Sequence, residues 1–222
     1  MLAKKTAIPL LVVLACAVMG IVDAVIQPGY VAKSAVKIVM FLLIPIIYAV
    51  LSKERTAFKF LRADKKGFLL AFALGFIVYG VVLGAYFAFR NVFDFSALTA
   101  SLTETTGVNK SNFIFVAIYI SFVNSLLEEF FFRGFAFLTI KDVFSRRFAY
   151  IFSSAAFALY HIAMMIGWFG VPVVLLSLLG LFVGGMIFNY FDEKSGNIYL
   201  SWLVHMFANF ATNTIGFILF DA

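Results

Sequence analysis

The chain has 222 residues, of which 64% are hydrophobic and only 13% charged, against about 45–50% and about 25% in a soluble domain. That balance excludes an ordinary soluble domain and points to a single integral membrane domain over residues 1–222. The net charge of +6 is read as membrane-flanking loops and not as a nucleic-acid surface. The single cysteine, Cys16, excludes an internal disulfide or a cysteine-based metal site.

In chain order the apolar runs lie at about 7–26, 35–51, 67–89, 112–140, 148–167, 171–191 and 198–220. Most have the ~20 residues that a helix needs to cross a ~30 Å hydrocarbon core. The expected fold is therefore all-α, a polytopic bundle of seven spans, or eight if the weakly apolar stretch VFDFSALTASL in residues 91–110 forms another. The first run is kept as a span and not read as a cleaved leader. The second is short and starts near Lys33 and Lys37, which are expected to snorkel toward the headgroups. The basic stretch SKERTAFKFLRADKKG between the second and third runs reads as a loop or a surface-lying amphipathic helix.

Basic residues orient the bundle. With the N-terminus inside, twelve of the seventeen Lys and Arg fall on inner segments: Lys4, Lys5, Lys53, Arg55, Lys59, Arg62, Lys65, Lys66, Lys141, Arg146, Arg147 and Lys194. Four fall outside, namely Lys33, Lys37, Arg90 and Lys110. This bias predicts a multi-pass protein of the cell membrane with a cytoplasmic N-terminus.

The fourth run ends in NSLLEEFFFRGF, which holds Glu128, Glu129 and Arg133. A charge at the centre of a membrane helix costs roughly 2.5–3.5 kcal/mol on insertion scales, so such groups face a bundle interior. At 100° per residue Ser121, Asn124, Ser125 and Glu128 share an arc of about 100°. Glu129 and Arg133 are i,i+4 and can pair, which leaves Glu128 free to face the interior. A buried ion-pair cluster that only fixes packing would explain the same residues. The fifth run contains FALYH, with Phe157 and His161 on one face and Ser154 a turn earlier. The seventh contains SWLVHMFANFATN, with Ser201, His205, Asn209, Thr212 and Asn213 on one face. Taken alone, each is also explained by interhelical hydrogen bonding.

Counted from their inner flanking charges, Glu128, His161 and Asn209 all lie roughly 20 Å deep, with His205 one turn nearer. A carboxylate at that depth can serve as general base toward water. A neighbouring imidazole can share the proton or protonate a leaving amine. A second His and an Asn can donate to an oxyanion. Glu and two His could also hold zinc, so residue types alone leave a metal open.

The motifs EEFFFR, FALYH and HMFAN fit the patterns EExxxR, FxxxH and HxxxN. In this order, over roughly residues 112–213, they resemble the CAAX protease and bacteriocin-processing (Abi) family, which includes the type II prenyl-protein endopeptidases. The resemblance implies a glutamate intramembrane protease and not a metalloenzyme. It implies Glu128 as water-activating base, His161 as its partner, and His205 and Asn209 at the oxyanion site. Glu129 and Arg133, with Phe157, would support them. Expected partners are the lipid bilayer and a membrane or lipidated peptide substrate, with no nucleic acid and no cofactor. Bacteriocin self-immunity or peptide maturation is the role it suggests. The rival reading is a non-enzymatic membrane protein that binds a toxin, transporter or sensor kinase.

Overall fold

The structure, a computed structural model, describes residues 2–53, 58–62, 67–93, 95–166 and 168–221. Seven helices among them are long and apolar enough to cross a membrane. They are α1 (Thr6–Ile26), α2 (Tyr30–Leu51), α3 (Phe68–Phe89), α5 (Phe113–Lys141), α6 (Arg146–Met165), α7 (Val171–Ser195) and α8 (Tyr199–Asp221). The eighth helix, α4 (Ser96–Thr106), has 11 residues. At 1.5 Å per residue it spans about half of the hydrocarbon core. It connects α3 to α5 and is too short to cross as a helix, so the described residues hold seven candidate spans. Among the described residues there is no strand.

The second span is longer than its apolar run, because Lys33 and Lys37 lie within the helix and not at its rim. Lys33 pairs with the buried Asp23 of α1. Between α2 and α3 only a single 3-10 turn, Lys59–Leu61, is described. Much of the expected amphipathic helix there, including Arg55, Lys65 and Lys66, lies outside the described residues.

Local sequence explains the helix ends. Ser145 caps α6 by accepting from the Phe148 N–H at 3.2 Å. Gly196, at φ 69°, ends α7 in the left-handed conformation. At the same end of the bundle Arg146 forks onto Glu193 at 2.7–2.9 Å, and the Tyr150 hydroxyl donates to it at 2.7 Å. That joins the start of α6 to the end of α7.

Three apolar clusters hold the spans, the smallest around Phe60, Phe130 and Ile198. In the first, α1 presents Ile8, Val12, Ala15 and Met19 at spacings of four, three and four, one helical face. They pack with Phe41 of α2, Phe131, Phe132 and Phe137 of α5, and Phe157 and Tyr160 of α6. In the second, Ala71 of α3 meets Leu200, Leu203, Val204 and Phe207 of α8. Gly75 lets α3 approach closely, since a Cβ there would sit 2.5 Å from the Phe207 ring. Leu175, Leu176, Leu179, Val183 and Ile187 leave one face of α7 exposed, as suits a helix against lipid.

The spans are not uniform α-helix. Residues 39–43, 119–124 and 129–138 are π-helical. In α2 the π segment lies next to Pro45, which has no N–H to offer the preceding turn. There the Ile44 N–H bonds Val39 O, five residues back. The segment 129–138 begins at Glu129 itself, and such i→i+5 segments recur at functional sites.

Candidate active site

α5, α6 and α8 bring Glu128, His161 and His205 together at the middle of the bundle. Glu128 lies near the centre of α5 and is 2% exposed. Its Oε2 is 3.9 Å from His161 Nε2 and 3.7 Å from His205 Nε2. Both separations exceed a direct hydrogen bond. They leave three polar atoms facing one small volume.

Each imidazole is fixed through its other nitrogen. His161 sits within α6 at the turn between its long segment, Arg146–Tyr160, and a short one, Ile162–Met165. Its Nδ1 lies 2.7 Å from Phe157 O. A carbonyl oxygen only accepts, so Nδ1 carries the hydrogen and donates. His205 Nδ1 lies 2.8 Å from Glu129 Oε1 and donates to that carboxylate in the same way. Both Nε2 atoms are thereby turned toward Glu128.

Glu129 and Arg133 form the expected ion pair, with Nε 3.3 Å from Oε2 and both side chains fully buried. Glu129 does more than pair, because it also orients His205. Phe157 has two contacts as well. Its carbonyl holds His161, and its ring lies 4.1 Å from the Arg133 guanidinium, with the Phe188 ring at 5.2 Å. The FxxxH spacing thus links the histidine to the arginine.

Asn209 is placed differently. Its amide donates to Ile120 O on α5 at 3.1 Å, and Asn213 donates to Ala117 O at 3.1 Å and Ser121 Oγ at 2.9 Å. These bonds tie α8 to α5 above His205. The expected single polar face of α8 is divided. Ser201 turns to Asp192 of α7 at 2.8 Å, and Thr212 is exposed with its hydroxyl on Asn209 O. Beside this seam lies a cleft of ≈ 290 Å³ whose lining includes Tyr79, Ser121, Phe210, Asn213 and Thr214.

Two groups escaped the sequence reading. Lys37 does not snorkel; it is 4% exposed and its Nζ lies 2.8 Å from Glu128 Oε1. The partner that pulls it inward sits 91 positions away in the chain, so nothing local to α2 announces the pair. With Lys33 also drawn into the helix to pair with Asp23, only Arg90 and Lys110 remain of the four basic residues expected on the outer side. Asp192 is buried within electrostatic range of Glu129 and Arg133.

Among the described residues no group of three or more His, Cys, Asp or Glu is placed to hold a metal ion. The Glu128 carboxylate is met by an ammonium and two imidazoles. That arrangement can hold a water, take its proton and return it.

Comparison with known proteins gives one match. Residues 110–211 fit the family model described as Type II CAAX prenyl endopeptidase Rce1-like. No curated protein and no solved structure matches the chain. The matched stretch contains Glu128, Glu129, Arg133, Phe157, His161, His205 and Asn209, and excludes α1, α2 and α3. Over residues 110–211, from α5 into α8, the chain is similar to the type II CAAX prenyl endopeptidases.

Proposed function

We propose that the protein is an intramembrane endopeptidase in which Glu128 activates water against a peptide carbonyl. The observation that carries this reading is the pair of Nε2 atoms aimed at Glu128 Oε2, each imidazole held by its own Nδ1 partner. A water between them gives one proton to Glu128 as its oxygen bonds the carbonyl carbon. The carbonyl electrons move to oxygen and form a tetrahedral oxyanion. The Asn209 amide hydrogen that Ile120 O does not take is one donor for that oxyanion, and His205 Nε2 is the second when the ring is an imidazolium, because its Nδ1–H is held by Glu129. Collapse breaks the C–N bond, and the proton reaches the leaving amine through Glu128 or His161.

The chemistry is proposed to be metal-independent. Lys37 already occupies Glu128 Oε1, and an ammonium beside the carboxylate opposes a dication there. The substrate class is a membrane or lipidated peptide, a prenylated tail being the one that the family description names. Self-immunity toward a bacteriocin or peptide maturation is the proposed biological role. The twelve-to-four distribution of basic residues supports a cytoplasmic N-terminus and a cytoplasmic loop between α5 and α6.

The test is cleavage by the protein reconstituted in liposomes. A farnesylated CAAX-type peptide and its unprenylated twin are incubated with it, and the products are read by mass spectrometry. The expected result is cut prenylated peptide, unchanged by a strong chelator. Cleavage of neither peptide, together with tight binding of a toxin or transporter, would favour the non-enzymatic reading.

A further inference from the structure

Only one oxygen of Glu128 faces the histidines. The other, Oε1, is taken twice: by Lys37 Nζ at 2.8 Å and by Asn124 Nδ2 at 3.1 Å. Lys37 Nζ also donates to Asn124 Oδ1, which closes a three-member clamp. The ammonium sits among aromatic rings, 5.1 Å from the Tyr160 centroid and 5.7 Å from that of Phe41. Phe41 in turn stacks on Phe131 at 4.2 Å. The lysine is therefore walled in on the site side of α2, in a part of the chain that the family match does not cover.

We infer that Lys37 is a positioning residue for Glu128, fixing Oε1 so that Oε2 alone is presented to the reacting water. The inference rests on the peptidase reading above. The terminal torsion of a glutamate is broad and two-fold, so a free carboxylate offers either oxygen in many orientations. Two donors on Oε1 remove that freedom. Orientation of this kind is worth a large factor in rate, and a misplacement of about 1 Å costs about 10²-fold. A merely structural clamp between α2 and α5 would act on stability and leave the turnover of folded protein alone.

The experiment compares wild type, Lys37→Met and Lys37→Arg in proteoliposomes, with thermal unfolding measured beside the kinetics of a fluorogenic prenylated peptide. The expected result is a kcat about 10–100-fold lower in Lys37→Met at unchanged KM, with Lys37→Arg between the two. Folded Lys37→Met with wild-type kcat overturns the inference while the peptidase reading stands. A wild type that cleaves nothing removes the peptidase reading, and the inference falls with it. Where Lys37→Met does not fold, Lys37→Met with Asn124→Lys returns an ammonium to Oε1 from α5. Recovery of kcat supports positioning. Folding without that recovery, or failure of both variants to fold, marks a structural clamp and overturns it.

Discussion

Glu128 and Glu129 are neighbours with different tasks, and the difference comes from what each oxygen touches. Glu129 spends one oxygen on His205 and the other on Arg133. Glu128 keeps Oε2 for the space between the histidines. The division was legible in the sequence, because an i,i+4 Glu–Arg pair removes one carboxylate from the candidates. The Glu129–His205 bond was not, since helix periodicity says which face a residue is on and not which neighbour it meets. Lys37 was misread for a related reason: near the end of an apolar run, snorkelling and burial look alike until the partner is known. Phe157 gives a residue-scale prediction. Phe157→Leu loses the ring on Arg133 but keeps the backbone carbonyl that fixes His161. It should lose stability by about 2 kcal/mol or more, the range of a desolvated cation–π contact. Its kcat should stay within a few-fold of wild type. A loss of activity in excess of the loss of folded protein would show that the ring, and not the carbonyl, serves His161.

At the scale of the element, the apolar runs located the seven spans of the described residues, but not the helix type. The π segment 129–138 carries the same Phe-rich composition as an α-helix would, so hydropathy cannot separate i→i+5 from i→i+4 bonding. The π segment 119–124 holds Ser121 and Asn124, so the 100° arc used for the polar stripe of α5 applies to its second half, Ser125 and Glu128, better than to its first. Segment 129–138 also makes one contact that only glycine permits. A Cβ on Gly134 would lie 2.3 Å from the Phe60 ring, which packs with Phe130 and Ile198. Gly134→Ala should destabilise by about 1–3 kcal/mol through overpacking. Adding Phe60→Leu should return part of the loss, as thermal unfolding in detergent would show. Additive effects of the two changes would mean that the helix and the ring do not meet.

For the whole molecule, seven spans follow from composition and run length, and the structure adds how α2 completes a site built by α5, α6 and α8. The chain order of the helices could not supply that, because the Lys37–Glu128 contact joins distant segments. The absolute orientation is a separate proposal with its own check. With Cys16 replaced, a cysteine at Ser145 should resist an impermeant thiol reagent in intact cells, and one at Lys110 should react; the opposite pattern inverts the topology. The central claim concerns Glu128. Glu128→Gln removes the base and leaves an amide of the same shape that can still accept from Lys37 and Asn124. The decisive measurement is its peptide-cleavage rate beside its thermal unfolding in the same proteoliposomes. The account predicts an unfolding midpoint close to wild type and a kcat lower by about 10²–10⁴-fold, the range for a lost general base. A well-folded Glu128→Gln protein that cleaves at the wild-type rate would contradict it.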